Sequence, residues 1–375
     1  MKLSRCFIIN SHKIRISSHL ILPRLYNSQM SNTSPDILQS ALRLPIQKPG
    51  SRLELARSLW EPQNRHSLVE KIFEPPNFEA FFGYYHSQCV SWICDQPSQQ
   101  DKTHRQLVDK AREISDPNAQ QPLLPLRTEA ELSWIFLVVR VLTMIDVGGL
   151  RNGMRLGQDS RHWTHGSLKD FIASTFPKQT QLSNDVKLER MFTARNLECV
   201  TDIQIIWTSN LADHLQLEEE DTKVRVFSHS SFLEFHRDCD LFPTGFVEET
   251  LRTLSLLLPQ NDKKSKAWFQ GELKRDINEE FIDSKAIKCR TLTMKERRID
   301  NFEFWHDRLV TLKQAFDQAD PRTVRQFWFD RRKPAQWFNF WIAIALVVFL
   351  TFFFGVIQSV GVGLQVYKAY YPSSA

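Results

Sequence analysis

The sequence predicts a mainly α fold: a helical globular domain with a small β element, followed by one C-terminal transmembrane helix. Three observations predict it. The stretch from Pro334 to Tyr367 carries no charge. Apolar residues upstream recur mostly at helical spacing, as in Leu132, Ile135, Phe136, Val139 and Leu142. Alternating β-branched residues occur at only two places, near Ile205 and near Val224.

The N-terminal residues 1–35 read as a disordered or targeting leader. Lys2, Arg5, Lys13, Arg15 and Arg24 are basic, and no acid appears before Asp36. The whole chain has a net charge of +5. Those five cations therefore account for all of it, and the rest sums to zero. Arg- and Ser-rich, acid-free composition fits a mitochondrial transit peptide and not a secretory signal, which needs a longer apolar run. A leader with no fold fits too, as does a true start at Met30.

Residues 36–126 read as an N-terminal helical region with a polar linker. Residues 36–95 are aromatic-rich and broken at Pro75-Pro76, and residues 95–126 form an exposed helix bounded by Gln-, Ser- and Pro-rich linkers. Residues 127–320 read as a helical (α+β) globular domain. Thr128 and Glu131 have the capping-box spacing, in which hydroxyl and carboxylate each answer an orphan backbone N–H. The helix they open is expected to run to Gly148-Gly149. The glycine- and arginine-containing loop that follows lacks the Gly-Lys-Ser/Thr ending of a phosphate-binding loop.

Further along, Cys199–Trp207 and Lys223–Phe227 read as strands, Asn210–Leu215 as a short helix, and 244–258 as a longer one. Gln260–Lys266 reads as a solvated loop. A helix from Arg297 to Ala319 shows a heptad-like seam of Phe302, Trp305, Leu309, Leu312 and Phe316. Packing of that seam on the chain's own core and pairing with a second copy both fit it.

Residues 321–336 form a basic, aromatic juxtamembrane segment, with Arg322, Arg325, Arg331, Arg332 and Lys333 beside Phe327, Trp328 and Phe329. Residues 337–360 are the predicted membrane helix, and 361–375 a short tail. Fifteen of the 23 residues from Phe338 to Val360 are Leu, Ile, Phe or Val. They favour insertion by roughly 5–9 kcal/mol before polar costs. As a helix the 23 residues span roughly 35 Å, enough to cross a hydrocarbon core of about 30 Å. Trp337, Phe338, Phe340 and Trp341 mark one interface, and Tyr367, Tyr370 and Tyr371 the other.

Cations cluster before the helix and only Lys368 follows it, so the positive-inside rule puts the N-terminal domain in the cytosol. The alternative is a mitochondrial inner-membrane protein whose domain faces the matrix. The short stretch after the helix gives the arrangement of a tail-anchored protein. Gly355, Ser359 and Gly363 share one helix face and would let a partner backbone, such as that of a second copy, approach closely. The expected partners are therefore the lipid bilayer and a protein or homodimer mate on that face. No basic field suggests nucleic acid.

Candidate chemistry is sparse. Six scattered cysteines, Cys6, Cys89, Cys94, Cys199, Cys239 and Cys289, fit a reducing compartment. Asp213, His214, His229, His236, Asp238 and Cys239 lie near one another in sequence, but their spacing matches no metal-ligand pattern. The motifs expected of serine hydrolases, zinc proteases and dinucleotide enzymes do not occur. No cofactor, metal set or catalytic residue is assigned, and the chain reads more as a non-enzyme. The leading expectation is a tail-anchored interaction or scaffold module. The alternative is a membrane-tethered enzyme using the Asp213/His214/His229/His236 region.

Several stretches carry a resemblance. They are Leu126–Trp134, Met191–Leu197, Trp207–Leu215, Val226–Leu233 and Phe329–Trp341, the last running into Gln365–Tyr370. Across roughly residues 120–372 the chain resembles an uncharacterised family of single-pass membrane proteins of filamentous fungi. The resemblance implies a fungal source and one C-terminal membrane helix, and supplies no activity. A long helix entering a C-terminal membrane segment is also similar to the CorA magnesium-channel architecture. That family has two membrane helices joined by a Gly-Met-Asn loop, and this chain has neither.

Overall fold

The computed structural model describes residues 37–60, 78–116, 128–148, 161–182, 186–275, 282–319 and 334–371, with Thr323 and Gln326. The leader, Pro75-Pro76, the loop after Gly148 and the cations at 322–333 lie outside these residues. The chain divides into two units, Met1–Pro35 and Asp36–Ala375, and every described residue belongs to the second.

Among the described residues the α-helices are α1 (Pro49–Trp60), α2 (Glu79–Asp95), α3 (His104–Ser115), α4 (Glu129–Thr143), α5 (Leu168–Thr175) and α6 (Ala194–Thr201). They continue as α7 (Ser230–Phe235), α8 (Phe246–Leu257), α9 (Lys263–Arg275), α10 (His306–Gln318) and α11 (Pro334–Tyr370). Three strands, β1 (Gln204–Thr208), β2 (Leu217–Glu218) and β3 (Lys223–Phe227), form one sheet in the order β1-β3-β2. The fold is thus mainly α with a small sheet, as the sequence predicts.

Local chemistry explains several helix starts. Thr103, Thr128 and Ser167 cap α3, α4 and α5 in complete capping boxes with Gln106, Glu131 and Asp170. α4 ends sooner than expected. Met144 takes a left-handed conformation (φ 53°) and its N–H bonds Arg140 O, so the helix stops before the glycines. α3 is not the exposed helix expected, because Leu107, Val108, Ala111 and Ile114 are buried on one face.

Four further boundaries move. Cys199 and Thr201 belong to the last turn of α6, closed by left-handed Asp202 (φ 61°), and the strand begins only at Gln204. The solvated loop at 260–266 is cut short, since Asp262 accepts from the Lys264 and Ser265 backbones and starts α9 at Lys263. α10 begins at His306, leaving Phe302 and Trp305 ahead of it. There the Glu249 carboxylate accepts the backbone N–H groups of Glu303, Phe304 and Trp305, each at 2.8 Å. A carboxylate from α8 thus fixes where α10 starts. The predicted membrane helix also extends past residue 360, through Gly361 and Gly363 to Tyr370. Glycine costs about 1 kcal/mol in a helix and proline about 3, and the first proline downstream is Pro372.

One apolar core runs from Leu38 to Phe316. Trp60, fully buried at the end of α1, packs its ring against Phe232, Phe235 and His236 at 6.2, 5.2 and 5.1 Å. Leu309, Leu312 and Phe316 of the α10 seam are buried in the same core. α11 differs. Its most apolar 18-residue stretch, within Trp337–Tyr370, has a mean hydropathy of 2.7, and none of that stretch is buried against the rest of the chain.

Candidate functional site

β1 and β3 pair in parallel, with Ile206 opposite Arg225 and Thr208 opposite Phe227. Their carboxyl ends therefore emerge side by side, and the segments leaving them carry the candidate residues Asp213, His214, His229 and His236. The fold sends these residues to different neighbours.

His214 is fully buried. The Phe227 backbone N–H donates to its Nδ1 at 3.1 Å, so Nδ1 carries no proton. Nε2 then holds the hydrogen and donates it to Thr253 Oγ1 at 2.6 Å, while the Thr253 hydroxyl donates to Thr250 O at 2.7 Å. The ring stands edge-on to Trp305 at 4.9 Å. Burial, and secondarily the Arg308 cation, bring its pKa down to about 3. Both nitrogens are occupied and the group is held neutral, which makes it a packing element joining β3 to α8.

Asp213, also buried, lies beside the Arg308 guanidinium and favours its charged form. Arg308 in turn donates to the carbonyls of Ala212 and His214 at 2.8 and 2.6 Å, and so holds this turn in place. His236 faces elsewhere. Its Nδ1 lies 2.8 Å from Phe232 O, a contact only an N–H can make, and burial brings its pKa down to about 4. Trp60, Phe235 and Phe242 surround it nearly edge-on. Asp238 is exposed, whereas Cys239 is buried and its thiol is pushed up to about 11. Among the described residues no three His, Cys, Asp or Glu side chains converge as a metal set.

His229 differs from the other two histidines in making no hydrogen bond to the main chain among the described residues. It is buried, and burial brings its pKa down to about 3. Its Nε2 lies 3.0 Å from the hydroxyl of half-buried Ser209, and its Nδ1 has no partner among the described residues. The rings of Tyr84 and Phe227 flank it at 5.9 and 5.6 Å. Sequence reasoning missed Ser209. The signal lies in the strand register, because each residue follows the carboxyl end of its own strand.

A second feature is a cleft of about 780 Å³ at the opposite, amino-terminal end of β1 and β3. Asp202, Glu219, Glu220, Asp221 and Lys223 line it, with Gln318 of α10 and Gln326 beyond. Glu219, Glu220 and Asp221 are consecutive left-handed residues (φ 49°, 55° and 63°). Such residues cost roughly 1–2 kcal/mol each. Part of this is offset by the Thr222 hydroxyl donating to Glu219 O and the Lys223 ammonium paired with the Glu219 carboxylate.

Compared with protein-family models, curated proteins and solved structures, the chain has no match.

Proposed function

We propose that the chain is a membrane-anchored interaction module, held by α11 and presenting its helical domain to partners on one side of the bilayer. The observation that carries the anchor is an 18-residue stretch within Trp337–Tyr370 that has a mean hydropathy of 2.7 and no buried residue. A core helix of a soluble protein would be buried. This one leaves Phe349, Phe352 and Phe354 at 62, 73 and 55 % exposure, which is stable only in an apolar solvent. The Trp337–Trp341 and Tyr367–Tyr371 ring pairs sit toward its two ends, as expected where a helix passes the headgroups.

The module reading is supported by where the titratable candidates go. His214 spends both ring nitrogens, and His236 its Nδ1, on hydrogen bonds inside the core, which favours a scaffold over a reaction centre there. The acid-lined cleft supplies a concave surface, and Gln326 on its wall is eight residues from the start of α11. Eight residues reach at most about 29 Å, so partners bound there would be gathered close to the bilayer.

The cations before α11 favour a cytosolic domain, or a matrix-facing one if residues 1–29 direct the chain to mitochondria. A glycosylation acceptor added after Ala375 tests this. Its modification indicates a cytosolic domain on secretory membranes. An unmodified protein in mitochondria, relocated when residues 1–29 are removed, indicates the matrix.

A further inference from the structure

We propose that Ser209 is a nucleophile served by His229, and that the chain reacts with carboxylic esters at the carboxyl edge of the β1–β3 pair. This goes beyond the anchored module and does not depend on it.

Three observations carry the assignment. The first is position. The parallel register sets Thr208 beside Phe227, and the Ser228 N–H extends the ladder by donating to Thr208 O at 3.1 Å. Ser209 and His229 thus stand on the ends of rigid neighbouring strands, the edge at which open parallel sheets place their chemistry. The second is the contrast among the three buried histidines that follow the sheet strands; buried His104 of α3 also has a hydroxyl, that of Tyr85, as a ring partner. The rings of His214 and His236 each bond the main chain. The His229 ring bonds no main-chain group among the described residues, and its partner is a hydroxyl. The third is access. Ser209 is half-buried, whereas His229 behind it is 1 % exposed. Ser209 Oγ and the uncharged His229 Nε2 are 3.0 Å apart, within the reach that proton transfer between a nucleophile and its base requires.

The tautomer that works has the proton on Nδ1 and a bare Nε2. Ser209 Oγ then attacks the ester carbonyl carbon while its proton passes to His229 Nε2. The C–O bond to the alcohol breaks, the alcohol leaves with that proton, and an acyl ester remains on Ser209. Water then attacks the acyl carbon and gives a proton to Nε2; the acyl–Oγ bond breaks, Nε2 returns the proton to Ser209 Oγ, and the carboxylic acid leaves.

The test is labelling of the purified full chain in detergent with a fluorophosphonate, which forms an Oγ–P bond and releases fluoride. Attachment is mapped by peptide mass spectrometry. The expected result is one adduct at Ser209, absent in Ser209→Ala and formed at least tenfold more slowly in His229→Gln. Glutamine keeps a hydrogen-bonding partner for Ser209 but cannot take its proton. Failure of the cooperatively folded chain to label, equal labelling of Ser209→Ala, or an unchanged rate in His229→Gln overturns the proposal. Should His229→Gln not fold, Ser209→Ala still decides whether this hydroxyl reacts.

Discussion

His214 Nε2 lies 2.6 Å from Thr253 Oγ1, and this bond ties the carboxyl end of the sheet to the middle of α8. The same helix bonds the Trp305 indole through Thr250 at 2.8 Å and the α10 start through Glu249. α8 therefore presents a buried polar row, Glu249, Thr250 and Thr253, to two separate segments, the one before α10 and the one that carries His214. Replacing Thr253 by Val leaves the His214 N–H buried without an acceptor. The expected loss is about 1–3 kcal/mol, read from the denaturation midpoint, and Thr253→Ser should lose less than half as much. Equal losses in the two variants would mean that the methyl group matters and the bond does not.

Acid should unfold the domain earlier than exposed histidines would allow. Burial brings His214 and His229 down to about 3 and His104 and His236 to about 4. Unfolded, each takes up a proton near pH 6.5. Below that pH the unfolded state binds more protons, so stability is complete above about 6.5 and declines toward 4 and 3. The slope approaches about 1.4 kcal/mol per pH unit for each histidine. Burial holds the Glu198 and Glu249 carboxyls above their usual range, which offsets part of this. Thermal unfolding at pH 7.5, 6 and 5 checks it; a midpoint unchanged between 6 and 5 would contradict it.

Glu249→Gln tests the α8–α10 joint. Glu249 Oε1 accepts from Phe304 and Trp305, and Oε2 from Glu303. Glutamine keeps one carbonyl oxygen but turns an NH₂ toward an N–H donor. A loss of about 2–3 kcal/mol is expected, with faster amide exchange at Glu303–Trp305. Unchanged exchange there would show that α10 starts without this cap.

What the sequence made legible was local. The capping box of α4 is readable because Thr128 and Glu131 are three residues apart, and β3 because Val224 and Val226 alternate. The start of α10 was not, since its cap comes from Glu249, more than fifty residues earlier. Asp213, His214, His229 and His236 looked like one set because they are near in sequence. β3 and α7 turn them toward α8, toward Ser209 and toward Trp60, so nearness along the chain gave no convergence. The pairing of Ser209 with His229 arises from a parallel register that no local pattern encodes. α11 was the most legible element, because its signal is composition over a long stretch; its continuation through Gly361 and Gly363 was not, as a glycine permits a helix as readily as it ends one.

The measurement that bears most directly on the anchored-module account is membrane partition at alkaline pH. The full chain and a variant ending at Ala319 are expressed alike and their membranes washed with sodium carbonate. The account predicts that the full chain stays with the membranes and leaves them only in detergent, while the shortened chain is found folded in the soluble fraction. Release of the full chain by carbonate, or retention of the shortened one, would contradict it.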